Sequence, residues 1–220
     1  MLEHNINNFI NHNKFNIGYK QIINVKELSV EGYLAEINLN NEIFDNDKIN
    51  KIIEYRDLKL KIEKYKLLKI FNDLKILYQQ VKGLIEVYIH IDNLLINDNI
   101  LELVSSHLRF FKLSGSFIKF IVDEYNPKLD DLKKYNIECY TKNIYDIINR
   151  KLDNVVLDAS LININELDNL LLFLNNYHVK VLLLNAQTLK EASKTNIKYI
   201  TSKDYKKVFT ITDIIDNILE

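Results

Sequence analysis

Tryptophan is absent from this 220-residue chain, cysteine, proline and methionine occur once each, and glycine occurs four times. A single cysteine, Cys139, excludes an internal disulfide, and read alone it is a small core residue before it is a nucleophile. With only Pro127, Gly18, Gly32, Gly83 and Gly115 as chain breakers, no Pro/Gly/Ser-rich linker divides the sequence, and one continuous domain is expected. No stretch of about 18 uncharged apolar residues occurs, which argues against a membrane-spanning helix. The opening Met1–Asn8 lacks the basic and apolar segments of a secretory signal, so a cytoplasmic protein without membrane insertion is expected. Arginine is scarce as well: Arg56, Arg109 and Arg150 are the only three among 29 cations, and the formal charge is −1. Without a basic field or the planar guanidinium that suits phosphate and base edges, nucleic acid is not an expected partner.

Hydrophobic residues make up 47% of the chain, enough for a sizeable core. Short apolar, β-branched or aromatic runs read as strands at Ile17–Asn24, Val30–Asn38, Ile85–Ile91, Phe110–Leu113, Ile137–Tyr140, Asn154–Leu157, Val179–Leu184 and Ile197–Ile200. Helix-period segments lie between most of them. Asp47–Gln80 reads as two helices, followed by Asn97–His107, Asn126–Lys134, Asn143–Lys151, Ile164–Tyr177, Ala186–Thr195 and Thr212–Leu219. Asp98, Asn126, Asn143 and Asn163 stand where helix caps are expected. The first two strands, joined only by Val25–Ser29, read as an antiparallel hairpin; after them strand and helix alternate to the end. The pattern predicts an α/β, TIM-like (β/α) barrel with an antiparallel first strand.

The hairpin Gly18–Ile37 contains Tyr-Lys-Gln-Ile-Ile and then Gly-Tyr-Leu-Ala-Glu-Ile. It resembles the opening of EAL domains, the cyclic-di-GMP phosphodiesterases, which run Tyr-Gln-Pro-Ile-Val, a turn, then Gly-Tyr-Glu-Ala-Leu. Further landmarks follow in the family's order: Val87–Asp92, Phe111–Ser116, Val155–Ile162, Val181–Thr188 and Lys198–Ser202. The resemblance spans about Phe15 to Asp213 and rests on collinearity, with each match loose and mostly hydrophobic. It implies an EAL-type barrel over residues 15–220, preceded by an N-terminal extension at 1–14.

The family's reaction, as the resemblance implies, is hydrolysis of a phosphodiester by Mg²⁺ or Mn²⁺ held on oxygen ligands at the strand ends. The matching positions carry other chemistry. The signature glutamate is Leu34, the strand asparagine His90, the next metal-binding glutamate Lys112, the catalytic lysine Val156, the late glutamate Leu184 and the final glutamine Thr201. Where paired aspartates are expected after Ile137–Tyr140 the chain reads Thr141-Lys142-Asn143, and Asp158 alone keeps its motif residue. Glu36, two residues beyond Leu34 on the same face, does not rebuild the site without them. Neither a metal nor another cofactor is therefore expected. Ligand contacts are altered too, with Lys20 for a glutamine and Asn38 and Ala159 for arginines. Lys20, Asn38, Lys112 and Asp158 remain as the residues that would meet a nucleotide.

Other constellations read as structural. His4, His12, His107 and His178 show no metal spacing with one another or with Cys139. His90 and Lys112 are expected at neighbouring strand ends, as a satisfied pair rather than an acid/base couple. The lysine-rich Lys59–Lys69 reads as a solvated outer helix, and tyrosines such as Tyr55, Tyr65 and Tyr78 as available interface anchors. The expectation is a catalytically inactive EAL-like signalling protein acting through an unidentified protein partner, as a monomer or an unfamiliar dimer. A non-hydrolysing cyclic-di-GMP or other nucleotide receptor is the alternative.

Overall fold

A computed structural model describes residues 15–39, 42–44, 56–81, 85–186, 199–202 and 208–219. The strands are β1 (Asn16–Asn24), β2 (Ser29–Leu39), β3 (Glu42–Phe44), β4 (Glu86–His90), β5 (Ile118–Val122), β6 (Glu138–Thr141), β7 (Asn154–Asp158), β8 (Lys180–Ala186) and β9 (Tyr199–Ser202). The helices are α1 (Arg56–Gln80), α2 (Asn93–Phe111), α3 (Ile144–Ile148), α4 (Ile164–Asn176) and α5 (Ile211–Leu219), with 3-10 segments at Gly115–Phe117 and Pro127–Tyr135. The expected extension at residues 1–14, the first part of Asp47–Gln80 and most of Ala186–Thr195 lie outside the described residues.

Strands β2, β4, β5, β6, β7, β8 and β9 run in that order, each parallel to the next, and β1 pairs antiparallel with both β2 and β9. The ring therefore closes on eight strands, with β3 appended to β2, and the expected TIM-like barrel with an antiparallel first strand is the observed fold. Asn24 builds the β1–β2 turn: its side chain accepts from the amides of Lys26 and Glu27, and its carbonyl accepts from Leu28, which sits at a left-handed φ of 55°.

Because side chains alternate along a strand, every second residue fills the ring. Ile22, Leu34, Tyr88, Ile121, Tyr140, Val156 and Leu182 form one buried cluster inside it, Leu184 packing against them. A larger cluster between ring and helices includes Tyr19, Phe71, Leu74, Ile89, Phe120 and Leu174. Below the inner cluster, at the N-terminal ends of the parallel strands, Lys119 is 5% exposed and lies 3.1 Å from Glu86 and 3.4 Å from Glu138; Lys180 in turn lies 3.1 Å from Glu138.

Three expectations are corrected. Phe110–Leu113 is not a strand: α2 runs through Phe111, and Lys112 caps it in the left-handed conformation, its amide donating to Arg109 and Leu108 carbonyls. The strand lies farther on, at Ile118–Val122. The cap of α2 is Asp92, whose carboxylate accepts from the Leu94 amide at 2.8 Å, while Asp98 lies within the helix beside the non-helical Asn99. Lysine in Lys59–Lys69 is not all solvated either, since Lys66 is 2% exposed and pairs with buried Glu63 at 2.7 Å. Asn126 and Asn143 cap as expected, accepting from the Lys128 and Tyr145 amides.

Two outcomes follow from the packing. A Cβ at Gly115 would stand 2.1 Å from the Tyr135 carbonyl oxygen, so Gly115→Ala is expected to cost about 1–3 kcal/mol in denaturant unfolding. Burial pushes the Cys139 thiol up to about 12; at pH 8 the folded chain should react with Ellman's reagent at least ~100-fold more slowly than the unfolded chain.

Candidate functional site

The parallel strands all point their C-terminal ends at one mouth, the position where barrels of this type gather reactive groups. Continuing the inward alternation one step above the inner cluster brings Lys20, Glu36, His90, Asp123, Lys142, Asp158 and Leu184 to this mouth. A cleft of about 350 Å³ opens there, lined among others by Lys20, Leu34, Glu36, His90, Lys142, Val156, Asp158, Leu184 and Thr201. That volume is at the small end of ligand pockets, which begin near ~300 Å³.

Each carboxylate of the ring lies against a cation or a hydrogen-bond donor. Lys20 Nζ lies 2.6 Å from Glu36 Oε2. Asp123 Oδ1 receives His90 Nε2 at 3.0 Å and Lys142 Nζ at 3.1 Å. The hydrogen bond from His90 outweighs burial and, with the Lys142 charge, holds the Asp123 carboxyl well below the usual carboxylate range. Asp158 accepts from the Ser160 amide at 2.8 Å and its hydroxyl at 2.6 Å on one oxygen, and from Asn185 Nδ2 at 2.9 Å on the other. Asn185 can reach Asp158 because β8 shifts register between Leu183 and Ala186, placing it at a left-handed φ of 55° that asparagine tolerates better than most residues. Its amide also donates to Thr201 Oγ1 at 3.2 Å.

An outer helix fixes the same rim. Lys66 on α1 donates to the His90 carbonyl at 2.8 Å, and its partner Glu63 accepts from the Asp92 amide at 3.4 Å. The end of β4 is therefore held from outside by a buried ion pair while His90 is held from inside by Asp123.

Of the residues expected at the site, Leu34, His90, Val156, Asp158, Leu184, Thr201 and Lys20 are brought together. Lys112 is not. It is exposed at the C-terminus of α2, before β5 begins, so it neither replaces a metal ligand nor meets a nucleotide, and it forms no pair with His90. The slip has a local cause, since the aromatic run Phe110–Phe111 imitates a strand; with β5 at Ile118–Val122, the inward positions are Ile121 and Asp123. Asn38 is on β2 beyond Glu36, in the stretch paired with β3, and is absent from the cleft lining. Asp123 and Asn185 were missed as site residues, and Lys142 entered only as part of a departure from the aspartate motif. For Asn185 no sequence signal was available; for Asp123 the strand run IKFIV just before it was one.

Mg²⁺ or Mn²⁺, which the resemblance implies, does not fit this donor set. Mg²⁺ demands an oxygen shell and Mn²⁺ favours one, but the ring carries two ammonium groups, its carboxylates are already paired, and Leu34, Ile121, Val156 and Leu184 lie beneath or beside it. Among the described residues no cluster of three or more His, Cys, Asp or Glu is placed to hold a metal ion.

No protein-family model matches the chain, and no curated protein matches it. Solved structures do. The EAL enzyme Bd1971, in its form bound to cAMP and cyclic-di-GMP, superposes with a TM-score of 0.84 at 13% identity, over 99% of this chain and 68% of that one. The EAL domain of Xanthomonas citri FimX, in complex with c-diGMP, gives 0.77 at 11% identity over 95% and 93%. An EAL domain protein from Listeria monocytogenes EGD-e gives 0.72 at 12% identity over 98% and 96%. The fold is thus of EAL type. Among the described residues no helix is long and apolar enough to cross a membrane.

The depressed acidity of Asp123 fixes a pH dependence. A carboxyl whose folded value lies below its unfolded value of about 3.9 stabilises the fold above that pH and ceases to as pH falls towards the folded value. Urea midpoints measured at successive pH values should therefore fall below about pH 4, and Asp123→Asn should flatten that acid limb.

Proposed function

We propose that this chain is a non-hydrolysing EAL-type regulatory protein that acts by binding a protein partner, with cyclic-di-GMP hydrolysis and binding both lost. The observation that carries the reading is the Asp123–Lys142 ion pair at the mouth. Lys142 stands just beyond the strand where the resemblance puts paired metal-bridging aspartates, and its ammonium occupies the carboxylate a cation would need. Leu34 and Val156, at the positions of the signature glutamate and the catalytic lysine, are buried in the inner cluster of aliphatic side chains and tyrosine rings and themselves offer no proton-transferring or ligating atom. Guanine recognition has no support in the lining, which holds no arginine; Ala159 and Asn38, at the positions where the resemblance puts arginines, are both outside it.

The partner reading draws on the outer surface. Leu172, Phe173 and Tyr177 are exposed on and just after α4, with the Phe173 and Tyr177 rings 4.7 Å apart, and Leu161 beside the mouth is 83% exposed. Exposed aromatic groups of this kind are effective anchors at interfaces. A signalling context such as motility or attachment is what the EAL resemblance implies.

Calorimetry of the full chain with cyclic-di-GMP, in Mg²⁺ and then Ca²⁺, followed by chromatography of the recovered nucleotide, tests the loss of ligand and turnover. The expected outcome is heat of dilution only and intact nucleotide. Cleavage overturns the reading; saturable heat with intact nucleotide replaces it with a receptor that uses Lys20 and Asp158.

A further inference from the structure

We infer that Lys142 is a tethered substitute for a divalent cation, which makes the mouth of this barrel independent of metal. The inference rests on the reading that the EAL-type oxygen ligand set is gone, and it identifies the side chain that stands in its place. Two donors from neighbouring strand ends, His90 Nε2 and Lys142 Nζ, converge on the single oxygen Asp123 Oδ1 at 3.0 and 3.1 Å. That is a bridge between β4, β5 and the end of β6 of the kind a cation makes between strand termini.

The ammonium is launched from a fixed backbone. The Lys142 amide donates to the Val122 carbonyl at 2.9 Å, next to Asp123 itself, and the Asn143 amide is tied to Thr141 Oγ1 at 2.9 Å. Thr141 Oγ1 in turn donates to buried Asp146 at 2.8 Å, so the turn after β6 is locked by its own side chains.

The other carboxylates of the ring are engaged as well. Lys20 holds Glu36, and Ser160 and Asn185 hold both oxygens of Asp158. A divalent ion entering here would have to displace Lys142 and assemble about six oxygens around an aliphatic floor. A side-chain ammonium needs no such shell and cannot be removed by a chelator. The charge it brings is single, which suffices for one shared carboxylate, and an ammonium cannot coordinate a water and lower its pKa as a divalent metal ion does.

Mn²⁺ is the probe. In amide spectra of the full chain, the signals of His90, Asp123 and Lys142 should stay sharp as Mn²⁺ is raised into the millimolar range, and the melting temperature should be the same in EDTA and in Mn²⁺. Lys142→Gln should melt lower than the parent in EDTA, recover part of the loss in Mn²⁺, and show Mn²⁺ broadening confined to the mouth; Lys142→Arg should behave as the parent. A residue that merely packed would not produce the Mn²⁺ response. Broadening at the parent's mouth, a parent melting temperature raised by Mn²⁺, or a folded Lys142→Gln indifferent to Mn²⁺ overturns the inference, and the parent spectra decide it should that variant fail to fold. Mn²⁺ binding with intact cyclic-di-GMP would overturn this inference alone, whereas cleavage would overturn the functional reading.

Discussion

An eight-stranded ring leaves an interior that only its own side chains can fill, and that constraint governs the rest of this molecule. Seven strands run parallel and one antiparallel, so every second residue of every strand must be spent on the same narrow column. At mid-height the column is Ile22, Leu34, Ile121, Val156 and Leu182 with the Tyr88 and Tyr140 rings, 5.4 Å apart and tilted edge to face. Below it, charges are admitted only as an alternating ladder, Glu86, Lys119, Glu138 and Lys180. A buried lysine would be strongly destabilising alone; between the carboxylates of Glu86 and Glu138 its charge is compensated. Tyr88 links the two layers by donating to Glu86 at 3.0 Å.

The upper layer obeys the same rule with different residues. Six of its inward positions are ionisable, yet they resolve into Lys20 with Glu36, Asp123 with His90 and Lys142, and Asp158 with hydrogen-bond donors. Partly exposed pairs of this sort contribute little each to stability; their consequence is chemical, because every carboxylate already has its positive or donating partner. The outer helix reinforces the arrangement. Lys66, buried with Glu63, reaches the His90 carbonyl, so the rim at β4 is positioned by one ion pair outside the ring and one inside it.

Much of this was legible in the sequence, for reasons that differ by element. Parallel strands covered on both faces read as continuous Val/Ile/Leu runs, which is why β4, β7 and β8 were found close to their observed bounds. The β1–β2 hairpin was legible from two alternating runs flanking a short polar turn. β5 was misplaced because Phe110 and Phe111 give a helix end the look of a strand, while the decisive feature, a left-handed cap at Lys112 without glycine, has no strong sequence sign. That one displacement moved the site as well: it put Lys112 at the mouth and hid Asp123. Asn185 was illegible for a different reason, since it depends on a register shift in β8 that only pairing with β9 defines. The start of α2 reads too late from the sequence because Asp98 looks like a cap; the true cap, Asp92, follows β4 with only Ile91 between.

The separability of these layers explains how an EAL-type fold can persist with a different mouth. The ring's stability resides in the middle column and in the core between ring and helices, and none of the charged residues of the upper rim belongs to either cluster. Leu34 and Val156, which stand where the resemblance puts polar site residues, extend the aliphatic packing of the middle column, and the charged rim above it can vary without disturbing that packing, provided that no charge is stranded. Lys142 and Lys20 meet that condition within the chain itself. A mouth whose carboxylates are all paired within the chain can hold its order without a bound ion, which leaves the outer surface and the cleft rim as the parts of the barrel free to vary.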